Sequence, residues 1–150
     1  MTDLLPLALD ACVPVAYDFL LDVEAGAVDV LSAEGRNNHG DTSQSLYVTP
    51  PARDGNSVTG AVGASAPHAY YVWKGRRPGT PPPYAPIEDW VESKLGFGQG
   101  NAPYPLVRSI QQTIGERGTD GTDFIGRPVD ALLGFFLADL GIAVASATGD

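Results

Sequence analysis

The sequence predicts an α+β fold, with a small, mainly antiparallel sheet of three to four strands packed with an N-terminal amphipathic helix and two to three further helices. Three observations lead there. Apolar residues recur at spacings of three and four near the amino terminus, two β-rich runs flank a turn-forming segment, and the second half holds segments that begin at proline and stop at glycine. A length of 150 residues fits a single domain, 1–150, with one core. Residues 1–13 are expected to form an N-terminal arm and 146–150 a tail.

In the first element Ala16, Leu20, Val23, Ala27 and Val30 or Leu31 form an apolar stripe, while Asp18, Asp22 and Asp29 lie on another face. Pro14 suits its first turn and Gly35 its end. A polar loop follows, then Ser45–Thr49 and Ser57–Val62 as a hairpin whose turn is the Pro50–Asn56 segment. A third strand is predicted at His68–Trp73, where Tyr70, Tyr71, Val72 and Trp73 would alternate between the core and a second face. The prolines of residues 75–86 favour stiff, extended backbone and make this stretch a docking loop. Helices are predicted for Ala85–Leu95, with Ile87, Trp90, Val91 and Leu95 inward, for Pro105–Glu116, with Leu106, Val107, Ile110 and Ile114 inward, and for Pro128–Ala145. Phe124-Ile125 is expected to be a short strand or plug.

Composition narrows the function. A net charge of −9 argues against a protein that grips many nucleic-acid phosphates. A single cysteine, Cys12, excludes an internal disulfide, and with His39 and His68 as the two histidines no metal-site spacing emerges. The amino terminus lacks a basic segment before its apolar run, so it does not read as a secretion signal. The apolar stretch Ala131–Ala147 is interrupted by Asp139 and reads as too short for a membrane span. A soluble, untargeted protein is expected.

Chemistry-bearing motifs are sparse. His39, Asp41, Ser43 and Ser45 are close in sequence, but a catalytic triad is normally assembled in space from separate elements, so a polar loop is the better reading. Gly75–Thr80 lacks the lysine of a phosphate loop, and Gly96–Gly100 has the wrong glycine spacing for a dinucleotide site. Glu88, Asp89 and Glu92 fit the first turns of a helix, where the macrodipole favours carboxylates. The charge is unevenly placed, with net −7 in residues 1–35 and +3 in residues 36–77. Lys74, Arg76 and Arg77 form the basic cluster, flanked by Trp73 and Tyr84; contact with an acidic surface of a neighbouring subunit, plain solvation and contact with DNA phosphates are its three readings, in that order.

The order of parts resembles the neck or tail-completion family of long-tailed bacteriophages. The likeness lies in Gly40-Asp-Thr-Ser-Gln-Ser-Leu46, the hairpin, Pro67-His-Ala-Tyr-Tyr-Val-Trp-Lys-Gly-Arg-Arg-Pro-Gly-Thr-Pro-Pro-Pro83 and Pro86-Ile-Glu-Asp-Trp-Val-Glu-Ser-Lys-Leu-Gly96. Val107–Thr119 with Phe124 resembles the family's following helix and turn. The likeness runs over residues 14–145 and is sharpest at 40–46 and 67–96; Gln44 and Trp73 depart from the common pattern. The resemblance implies a non-enzymatic virion protein that forms a homo-oligomeric ring of six or twelve copies at the head-tail junction. Its partners would be the connector and the tail tube or terminator, with genomic DNA passing through the lumen unbound. It implies no cofactor, metal or membrane, a place in the virion neck, and assembly in the host cytoplasm. Lys74, Arg76, Arg77, Pro78, Pro81, Pro82, Pro83, Tyr84 and Trp73 are then expected at the subunit interface, and Asp18, Asp22 and Asp29 facing the channel. The alternatives are a tail terminator, a small binding module, or a hydrolase built on the His39, Asp41 and Ser43 region.

Overall fold

The structure, a computed structural model, describes residues 3–36 and 41–149. The α+β class holds, with six helices and two antiparallel strand pairs among the described residues. The chain divides into two compact units. The first is Met1–Val30, Ser45–Ser65 and Phe124–Asp150; the second is Leu31–Gln44 and Ala66–Asp123.

Helix α1 (Leu4–Ala33) begins where the Asp3 carboxylate accepts the Leu5 N–H at 3.1 Å, satisfying one of the free donors of a first turn. It therefore includes most of the expected arm, and Pro14 lies inside it rather than at its start. In the first unit its stripe buries Val23 and Ala27 completely. The hairpin of β1 (Leu46–Asp54) and β2 (Ser57–Ala64) closes on the two residues Gly55 and Asn56, with Gly55 at φ +57°. The expected turn at Pro50–Asn56 is thus shorter. Pro50 and Pro51 belong to β1, at a break in register between Thr49 and Ala52, because proline has no N–H for the ladder and is tolerated at a bulge.

Helix α6 (Gly126–Thr148) meets α1 at two places. Phe19 and Phe136 stack with centroids 4.2 Å apart, and a Cβ at Gly26 would lie 2.8 Å from Pro128. Leu20 and Pro51 crowd Gly60 in the same way, which seats α1 against the hairpin. Residues 131–147 were expected to fall short of a membrane span, but the helix containing them has 23 residues. By length and composition α1 and α6 are each long and apolar enough to cross a membrane. The expected tail is mostly helical too, since α6 runs to Thr148 before Gly149 stops it at φ +81°.

The second unit begins with the last turn of α1, where Leu31 is fully buried, and continues through α2 (Asp41–Gln44) and α3 (Ala69–Lys74). Helix α3 replaces the strand expected at His68–Trp73. Its one buried residue is Ala69, and Tyr70, Tyr71 and Trp73 are all exposed, so none of these aromatics enters the core. The β propensity of Tyr-Tyr-Val-Trp is a preference for a half-buried pleated surface; here the following chain offers only β3 (Gly75–Arg76) for pairing, with β4 (Thr119–Asp120). Helices α4 (Tyr84–Leu95) and α5 (Tyr104–Arg117) complete the unit, each within a residue of its predicted bounds, and bury Val91 and Val107. Gly96 ends α4 in the left-handed region. Trp90 and Leu95, both expected inward, are exposed. With α4 starting at Tyr84, Glu88, Asp89 and Glu92 lie beyond its first turn. Glu92 instead accepts the Gly100 N–H at 2.7 Å and pins the loop after the helix.

Candidate interaction surface

The proline-rich stretch is strapped down by close backbone approaches rather than projecting freely. Gly75 and Gly118 both sit near φ +75° with extended ψ, a conformation essentially reserved for glycine, and a Cβ on Gly118 would strike the carbonyl oxygen of Arg76. Gly121 is closed in by the Trp73 carbonyl oxygen in the same manner. Past this clasp, the Gly79 N–H donates to the Gly115 carbonyl at 2.7 Å. Pro81 covers Gly115, where a Cβ would stand 2.8 Å from its Cγ. Pro82 is buried, and its carbonyl accepts from Gln111 Nε2 at 2.6 Å; the other side of that amide, Oε1, accepts from Arg108 at 2.6 Å. Gly75 and Arg76 are in β3 and Tyr84 starts α4, so the part of the expected loop outside regular elements is Arg77–Pro83.

The predicted interface residues then separate into three groups. Trp73, Lys74 and Arg76 gather with Tyr70 and Tyr71 on a platform of cations and rings. Lys74 Nζ lies 4.2 Å from the Trp73 ring centroid, and the Arg76 guanidinium 5.0 Å from that of Tyr71. Tyr70 meets both Tyr71 and Trp73 edge-on, at 5.6 and 6.2 Å. Trp73 Nε1 donates to Asp123 at 3.2 Å, and Arg76 donates to the Thr80 carbonyl at 3.5 Å, which holds the platform in place. Arg77, Pro78, Pro81 and Pro83 form an exposed rim, whereas Pro82 is internal. Tyr84 pairs with Tyr104, ring centroids 5.6 Å apart. Its phenol is held above the ordinary value of 10.0, first by desolvation and then by the Glu88 carboxylate.

Tyr71 and Arg76 of the platform also line a groove of about 620 Å³, together with His68, Trp90, Ile110 and Ile114. His68 Nε2 is 3.0 Å from the hydroxyl of Thr42, which is only 1% exposed. This contact ties α2 to the start of α3. His39 of the hydrolase alternative lies outside the described residues. No group of three or more His, Cys, Asp or Glu able to hold a metal occurs among the described residues.

In the first unit, Asp18 and Asp22 share a concavity of about 210 Å³ with Phe19, Phe135, Phe136 and Asp139, whereas Asp29, though exposed, does not line it. Asp139 escapes a reading by helical stripe because its proximity to Asp18 and Asp22 is tertiary. Gln111 was missed for a similar reason, although its neighbour Gly115, an isolated glycine inside a helical pattern, marks a close approach. No family model, curated protein or solved structure matches this chain.

Proposed function

We propose that this chain is a non-enzymatic structural protein of a bacteriophage virion, a ring subunit at the head-tail junction that joins the connector to the tail and lets DNA pass. One observation carries the reading beyond the motif likeness: the chain does not cover its own apolar surface. Among the described residues seven apolar side chains are buried, while sixteen large ones are exposed, including Leu4, Leu5, Leu7, Leu133, Phe135 and Ile142 on the two long helices. Apolar surface on this scale marks a face covered by other protein or by lipid. Lipid is the poorer cover, because α1 carries Asp10, Asp18, Asp22, Glu24 and Asp29 and α6 carries Asp130 and Asp139. A carboxylate near the bilayer centre costs about 2.5–3.5 kcal/mol. Neighbouring subunits fit both the apolar faces and the charges. An acidic wall suits passage of DNA without adhesion, since like charges repel within the screening length of about 8 Å.

A nonsense mutation in the gene tests this reading in the phage. DNA-filled heads and separate finished tails are expected in electron micrographs of the lysate, with joined particles restored by supplying the intact protein. Normal joined particles without the protein would refute it.

A further inference from the structure

The two units differ sharply in charge: residues of the first include ten acids against two bases, those of the second eight against seven. The first unit also bears the α1–α6 face, where Asp18, Asp22 and Asp139 border a concavity walled by Phe19, Phe135 and Phe136. On the same two helices Tyr17, Leu21 and Leu133 are exposed. Water solvates the carboxylates but leaves the rings and leucines costly, at about 25 cal/mol per Å²; lipid does the reverse. The matching cover is a surface that carries cations among aromatic rings.

The chain contains such a surface. Lys74, Arg76 and Arg77 are its only three basic residues within four positions, and Lys74 and Arg76 lie over the rings of Trp73 and Tyr71 in the second unit. We infer that the Tyr70–Arg77 platform of one copy docks on the acidic, aromatic α1–α6 face of the next. The inference rests on the ring reading and names its contact. Two different patches meet, so the association is head-to-tail and propagates until a ring closes. It also reassigns two of the three acids expected in the channel. Asp18 and Asp22 belong to the subunit contact, and Asp29 remains available to the lumen.

Mixing complementary variants tests the contact. Asp18→Lys with Asp22→Lys spoils the acidic face and leaves the platform intact; Lys74→Glu with Arg77→Glu does the opposite. All four side chains are exposed. In sedimentation velocity the unaltered protein is expected to assemble with rising concentration, and each variant alone to remain at 15.7 kDa. An equimolar mixture should associate where neither variant does alone, because the intact platform of one meets the intact acidic face of the other, and the reversed pair, lysines against glutamates, is complementary again. Circular dichroism identifies a variant that misfolds. In that case the neutral pairs Asp18→Asn with Asp22→Asn and Lys74→Gln with Arg77→Gln take its place, each expected to raise the concentration needed for assembly at least about tenfold.

Assembly of either charge-reversed protein at wild-type concentrations would overturn the inference while leaving the ring reading standing. So would a mixture that stays monomeric. An unaltered protein that is monomeric at every concentration would overturn it too, and the nonsense-mutant particles then decide the ring reading separately.

Discussion

Replacing Gly118 by alanine is expected to unfold the second unit's clasp, at a cost above about 3 kcal/mol. Two effects add at this position. The backbone at φ +74° and ψ −168° is a region essentially closed to residues with a Cβ, which costs on the order of 1–3 kcal/mol. The new methyl group would also strike the Arg76 carbonyl oxygen, which is fixed by the β3–β4 pairing and cannot swing aside as a side-chain end would. The midpoint of thermal unfolding should fall by about 6–12 °C, from roughly 2–4 °C per kcal/mol for a chain of this size. Gly100→Ala is the control: it also has positive φ, at +76°, but nothing lies within 4 Å of the point where its Cβ would stand. It should cost about 1–2 kcal/mol, the ordinary strain of a Cβ at positive φ without the clash. Equal losses in the two variants would mean that the close approach at Gly118 contributes nothing.

The second large effect is expected at Gln111. Its amide is buried and spans from Arg108 to the carbonyl of Pro82, and Gln111→Leu keeps the bulk while removing both hydrogen bonds. The Pro82 carbonyl would then be left without this donor in a buried place, at a cost of about 1–3 kcal/mol. The strap over α5 should loosen with it. Trypsin is expected to cut the Arg76–Arg77 bond several-fold faster in the variant than in the unaltered protein, read by mass spectrometry of timed digests. An unchanged unfolding midpoint together with an unchanged cleavage rate would show that the strap is held by other contacts.

What was legible in the sequence was the set of elements whose ends carry local chemistry. Helices α4 and α5 follow from prolines at their starts and glycines at their ends, and the hairpin from the turn chemistry of Pro50–Asn56, of which only Gly55 and Asn56 form the turn. Less legible was α3, because Tyr-Tyr-Val-Trp has the composition of a strand, yet strand pairing here is confined to the two residues of β3. The proline run was legible as stiff but not as tethered. Its tether depends on Gly115 having no side chain and on a buried Gln111, and both act through contacts remote in sequence.

The candidate surface divides along the same line. Trp73, Lys74 and Arg76 lie within a few residues of one another, and their grouping survives the change from strand to helix. In a helix, however, Tyr70 and Tyr71 join them, which turns a basic cluster into a platform of rings and cations. The acidic stripe of α1 was legible from its spacing. That Asp139 and the Phe19–Phe136 stack complete it depends on the packing of α1 against α6, residues more than a hundred positions apart.

We propose a ring subunit at the head-tail junction as the role of this chain. Cryo-electron microscopy of intact particles tests it most directly, by fitting the first and second units separately into density between portal and tail. A closed ring of copies is expected there, with the Tyr70–Arg77 platform of each against the α1–α6 face of its neighbour. Particles whose junction is fully accounted for by other chains would contradict it.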